Sequence, residues 1–338
     1  MKRLILLITF IVVSLLSQSQ NTIKILLIGS SHGRVTIGQF PILASKSGVD
    51  IVCGNAYAGG LKLKSLAEYC ITGELFPELY SKFYDETWHD NNPCNMTILE
   101  MLQDEEWDII CIQRAAAEDR YWNDEQAHSL ETILEFIKDN CRYNPQIVFN
   151  SGFADSYSII DREKQQQETE EIWSSAQNVK KNYGIEIIPM APIIQLLRNN
   201  DELAVLGTYE KHMMSFDSQH LDLGIGMYAS GCICYDFFLK KRFGKSCIDN
   251  LYLPTVKDIS YGYRESAFTP IDEKHAKMIR IIVDDWYKKQ TVGISSPTNE
   301  ELIKAPFPAQ IYSLDGRRIT HPKRGGLYII DGKKVLWK

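Results

Sequence analysis

The sequence predicts an α/β protein: a three-layer, doubly wound domain built on a five-stranded parallel sheet, followed by a small C-terminal all-β module. Three observations carry this. Five short apolar runs (Ile23 to Ile28, Asp50 to Cys53, Trp107 to Ile112, Gln146 to Asn150 and Ile185 to Met190) are mostly continuous rather than alternating, as strands covered on both faces are. The stretches between them are long enough for crossover helices. Helical periodicity is clearest in Ala127 to Lys138, Arg162 to Lys181, Gly224 to Lys240 and Glu273 to Lys288, where Ala276, Ile279, Val283 and Trp286 share a face. Beyond Gln290 the texture changes to a Ser/Thr/Pro linker, then to apolar stretches interrupted by Asp315-Gly316 and Asp331-Gly332. Asp-Gly between two such stretches is a strong hairpin signal.

The chain has 338 residues, 44% hydrophobic and 24% charged, enough apolar material for one large core of roughly 200–270 residues plus a small remainder. Its formal net charge of -6 argues against nucleic acid as a partner, because neutralising phosphates takes a basic face. At the start, Lys2 and Arg3 precede the apolar run Leu4 to Leu16 and then Ser17-Gln18-Ser19-Gln20, the layout of a secretory signal peptide over 1–19. The mature protein is therefore expected to be secreted, periplasmic or on the cell surface. The expected organisation is the leader, an α/β domain over 20–290, a linker over 291–308 and the β module over 309–338. The 8 cysteines contain no CxxC pair, so a zinc ribbon does not fit. Cys53 and Cys111 lie inside strand patterns and read as small buried hydrophobes.

The stretch from Leu63 to Gln103 is an aromatic-rich excursion between the second and third runs, with Phe76, Tyr80, Phe83, Tyr84, Trp88 and His89. Such an insertion reads either as a wall of the functional site or as packing over a satellite core.

In an open α/β sheet, ligands bind beyond the carboxyl ends of the strands, and four motifs fall there. Gly29-Ser30-Ser31-His32-Gly33 follows the first strand; a serine on such a turn presents its hydroxyl beside backbone N–H groups, although Gly-Ser-Ser is equally an ordinary helix N-cap. A phosphate cradle is disfavoured because the Walker lysine is missing. Gly59-Gly60 follows the second strand, allowing close backbone approach or simply a tight turn. Gln113 ends the third. Near the end of the domain stands Asp217-Ser218-Gln219-His220: the carboxylate can set the imidazole tautomer while the imidazole reaches a serine. Asp217 as an N-cap, or a zinc set of His212, Asp217 and His220, are the alternatives. Together the four motifs supply a nucleophile, a base, its orienter and oxyanion donors.

That order of motifs resembles the SGNH hydrolase superfamily, the GDSL-like esterases, and more narrowly an exported branch with Gln in the third block, over about residues 22–290. The resemblance implies a flavodoxin-like fold and a serine esterase without metal or cofactor. Position by position it makes Ser31 the nucleophile, His220 the general base and Asp217 its partner. The N–H groups of Ser31 and Gly60, with the Gln113 side chain, would form the oxyanion hole. Ser30 stands where the family has Asp or Asn, which leaves Ser30 as an alternative nucleophile, and His32 is a second departure without an assigned role. The implied substrate is an O-acyl group on a carbohydrate, with Trp88 and Tyr84 expected to bind it. The alternative is a non-catalytic glycan-binding surface protein on the same scaffold. The C-terminal piece, Ile311 to Arg318 and Gly326 to Ile330, is similar to type IX secretion sorting domains, implying export machinery as a partner.

Overall fold

The computed structural model describes residues 22–156, 162–210, 212–259 and 265–291, with short strands at 311–312, 327–330 and 333–336. The expected leader and most of the linker lie outside the described residues. The chain divides into two compact units, Met1–Ile294 and Ser295–Lys338.

In the larger unit, β1 (Thr22–Gly29), β2 (Asp50–Tyr57), β5 (Ile109–Ile112), β6 (Gln146–Asn150) and β7 (Glu186–Ile188) are parallel. The hairpin β3 (Leu79–Tyr84) and β4 (Thr87–Asn91) adds two antiparallel strands at one edge, giving a seven-stranded sheet in the order β4-β3-β2-β1-β5-β6-β7. The parallel portion is the expected doubly wound, flavodoxin-like α/β sheet. The hairpin is a correction to the five-stranded expectation. Its turn is Asp85-Glu86, both at positive φ (50° and 61°), as a two-residue primed turn requires, but without the glycine that normally announces one.

Successive residues of a strand point to opposite faces, and β1 supplies both cores. Ile23, Ile25 and Leu27 pack with α1 (Ser31–Ile37), α2 (Phe40–Lys46), α8 (Met190–Arg198), α10 (Ile225–Tyr235) and α12 (Glu273–Thr291). Leu26 and Ile28 pack on the other face with α3 (Leu63–Thr72), α4 (Ile98–Gln103), α6 (Asp124–Asn140) and α7 (Arg162–Tyr183). Each fully buried Leu or Ile contributes about 1.5–3 kcal/mol, which is why strands covered on both sides read as mostly apolar runs. Cys53 and Cys111 are fully buried, and burial raises both thiol pKa values. The predicted face of α12 (Ala276, Ile279, Val283, Trp286) is buried in the first core. The predicted Gly224-to-Lys240 helix is α10 continued by a π-helical turn over Asp236–Lys240.

In the smaller unit, Leu327–Ile330 pairs antiparallel with Lys333–Leu336 and with Ile311–Tyr312. The hairpin expected at Asp315-Gly316 lies outside the described residues.

Candidate functional site

From β1 the chain first adds β2 on one side and later β5 on the other, so the crevice for a ligand opens between the carboxyl ends of β1 and β5. The loop Ser30-Ser31 leaves β1 there, and Gln113 leaves β5 beside it, its N–H bonded to Ile28 O at 3.0 Å. Gln113 is 1% exposed. Its Oε1 accepts from Ser30 N–H (2.9 Å), Ser30 Oγ–H (2.9 Å) and Gly33 N–H (3.1 Å). Its Nε2 donates to Arg114 O. Two backbone N–H donors fix which amide atom is the oxygen. The carboxamide is thus turned into the loop as a brace, away from the oxyanion role expected of it. The close approach depends on absent side chains: a Cβ on Gly29 would lie 2.9 Å from Gln113 Cβ, and one on Gly33 would lie 3.2 Å from Gln113 Oε1.

The two serines thereby differ in their surroundings. Ser30 is 1% exposed and its hydroxyl also donates to Arg114 O at 3.3 Å. Ser31 is half-buried at the first position of α1, where a backbone N–H has no acceptor within its helix. Its hydroxyl makes no hydrogen bond among the described residues, to His220 included. The Gly59-Gly60 turn stands beside this loop because Ala58 N–H donates to Gly29 O at 3.1 Å. Gly60 is exposed with φ +63°, a left-handed conformation that glycine adopts without strain.

Asp217 and His220 sit on a short loop closed by the Ser215–Leu221 bridge. Asp217 Oδ1 accepts from the N–H groups of Gln219 (2.8 Å) and His220 (2.7 Å), a local turn that suits Asp three residues before its partner. The His220 ring lies with Nδ1 at 2.8 Å from Oδ2 and 3.0 Å from Oδ1. A carboxylate only accepts, so the proton is on Nδ1, and Nε2 is left to take one from a hydroxyl. Burial works to raise the Asp217 pKa, but hydrogen bonds from His220 and Gln219 outweigh it and the carboxyl is held below its ordinary value. The ring of Phe216 stacks on His220 at 5.4 Å.

Between loop and base lies a buried ionic cluster that sequence reasoning missed. His32, next to Ser31, is 1% exposed and meets the His220 ring edge-on, centroids 5.8 Å apart. Its other face stacks on Phe153 at 4.1 Å. His32 Nδ1 lies 3.7 Å from Asp119 Oδ2, and Asp119 Oδ1 accepts from Arg114 Nε at 3.1 Å. Burial pushes the Asp119 carboxyl up, against the pull of His32 and Arg114, and pushes the Arg114 pKa down. Gly152, two residues past β6, makes room: a Cβ there would stand 2.0 Å from Asp119 Oδ2. His32 itself was the available signal, being a histidine beside the proposed nucleophile.

Trp88 and Tyr84 are not brought to Ser31, which corrects the expected substrate contacts. The hairpin runs antiparallel to β2, so Trp88 pairs with Phe83, which pairs with Cys53, and Tyr84 lies further toward the amino end of β2. Trp88 Nε1 donates to Gly38 O at 3.3 Å, past the far end of α1 from Ser31. Tyr84 stacks on His89 at 3.9 Å. Trp88, Glu86, Asp90 and Lys257 instead line a separate cleft of about 580 Å³. His212 is exposed, with Nδ1 3.3 Å from Gly207 O.

Among solved structures, the chain is similar to a DUF4886 family protein from Bacteroides uniformis ATCC 8492. The two are 22% identical, with a TM-score of 0.63 over 80% of this chain and 96% of that one. It is more remotely similar to an acetyl xylan esterase, AlAXEase, at 12% identity and a TM-score of 0.43, over 64% of this chain and 100% of that one. A comparison with curated proteins found no match. The family model for a domain of unknown function, DUF4886, matches residues 24–270, a span that holds the α/β sheet except the first two residues of β1 and holds every candidate residue above. The chain belongs to the DUF4886 family.

Proposed function

We propose that the protein is an exported serine esterase of the SGNH type that removes an O-acyl group from a carbohydrate. The observation that carries the reading is the Asp217–His220 pair, bonded at 2.8 Å, standing against the residue that follows Ser31 at the switch point of the sheet. In the proposed reaction the Ser31 hydroxyl attacks the ester carbonyl and its proton passes to His220 Nε2. His220 returns that proton to the leaving alcohol, the acyl group stays on Ser31, and water then releases the acid by the reverse sequence. The N–H groups of Ser31 and Gly60 are the proposed oxyanion donors, with Gln113 holding the loop that presents them. The motif order supports the ester and carbohydrate assignment. The leader over 1–19 and the sorting-like tail support export.

Acetate release from acetylated oligosaccharides tests the proposal. Turnover by the wild type and none by Ser31→Ala is the expected result. Glycan binding without acetate release, unchanged in His220→Ala, would favour the non-catalytic alternative.

A further inference from the structure

We infer that His32 is a positioning residue for this hydrolysis: its Nε2–H grips the Gln219 carbonyl and so sets the placement of the His220 imidazole against Ser31. The inference rests on the reading of Ser31, His220 and Asp217 given above.

The Nε2–Gln219 O contact is 2.9 Å and spans 187 residues of sequence. A carbonyl oxygen only accepts, so Nε2 carries a proton. The acceptor belongs to the peptide group that joins Gln219 to His220, so the bond acts on the backbone one residue from the base. On the other side, His32 is the second residue of α1, directly after Ser31. One buried imidazole therefore links the helix of the nucleophile to the loop of the base.

Besides that hydrogen bond, the ring is bounded by one aromatic face and two carboxylates. Phe153 covers one face with an interplanar angle of 14°. Asp119 Oδ2 stands 3.7 Å from Nδ1, and Asp155 Oδ1 stands 4.0 Å from Nε2. Asp119 is anchored by Arg114, and the chain around Asp155 is anchored by Arg198, which donates to Ala154 O at 2.6 Å. The His220 loop is tied to the same segment by Ser156 N–H to Ser218 O at 2.6 Å. If the position needed only bulk, an apolar side chain on Phe153 would serve at no desolvation cost. The polar contact to Gln219 O gives the imidazole a second purpose, since small displacements of a reacting group cost catalysis steeply.

The experiment compares kcat and KM for 4-nitrophenyl acetate in wild type, His32→Leu, His32→Gln, His32→Asn and Ser31→Ala, with thermal melting as a control of folding. Glutamine carries its amide near the position of Nε2, asparagine near that of Nδ1. The expected result is a kcat lowered by roughly 10–100-fold in His32→Leu, with KM within about threefold. His32→Gln should recover most of the loss and His32→Asn little of it. If His32→Leu does not fold, the difference between the Gln and Asn variants decides. Wild-type kcat in the His32 variants beside a dead Ser31→Ala overturns this inference alone, and so does an equal loss in Gln and Asn variants that melt like wild type. Full activity of Ser31→Ala, or no turnover by wild type, overturns the hydrolase reading and this inference with it.

Discussion

Replacing His220, the proposed general base, by alanine is expected to lower kcat by about 10⁴–10⁶-fold with little change in KM, because a group in that role acts in the transition state rather than in ground-state binding. The magnitude follows from its arrangement. The bond from Nδ1–H to Asp217 makes Nε2 the nitrogen free of a proton in the neutral ring, and the turn that Asp217 itself builds fixes the loop that carries it. Asp217→Asn should keep the turn, since an amide oxygen still accepts from Gln219 and His220 N–H, but its NH2 then faces Nδ1 as a donor and moves the ring proton to Nε2, so kcat should fall by about 10⁴-fold. Steady-state rates on one ester, with circular dichroism to check folding, measure both. A His220→Ala enzyme within tenfold of wild type contradicts the assigned role.

The second large effect is on stability. Arg114 is fully buried and makes five hydrogen bonds: to Asp119 Oδ1 and O, Tyr121 O, Gln126 Oε1 and Ser175 Oγ. Arg114→Met fills similar volume but abandons these acceptors and leaves a buried carboxylate without its cation. Breaking such a pair costs about 3–5 kcal/mol, a large share of the 5–15 kcal/mol typical of a whole domain. Urea unfolding should show a lower midpoint at unchanged slope. Adding Asp119→Asn should return part of the loss, since the uncompensated charge is then gone. A change below about 1 kcal/mol in Arg114→Met would contradict the cluster's structural weight.

The parallel strands are legible in the sequence because burial on both faces leaves few polar residues to interrupt them. The long helices are legible because one face of each must be apolar. The β3–β4 hairpin is not, since its Asp85-Glu86 turn lacks the usual glycine and its strands mix Lys82, His89 and Asp90 with aromatics. That hairpin also explains the misplacement of Trp88 and Tyr84: aromatic content shows that a segment packs, whereas the strand direction that decides where it packs is a property of the sheet. At the site, the position of Gln113 could be read from the end of its strand. The direction of its amide could not, because it depends on two glycines, one at the end of β1 and one in α1, leaving room for it. Likewise His32 stands out as a residue type, but its partners are Asp119, Phe153 and Gln219, distant in sequence and joined only by the fold. The Asp217–His220 pair was legible because its chemistry is contained in four residues.

Ser31 as nucleophile is tested most directly by labelling the purified protein with a fluorophosphonate and mapping the adduct by peptide mass spectrometry. The predicted result is one adduct, on Ser31, absent from Ser31→Ala and strongly reduced in His220→Ala. An adduct on Ser30, equal labelling of Ser31→Ala, or no adduct on the wild type would contradict it.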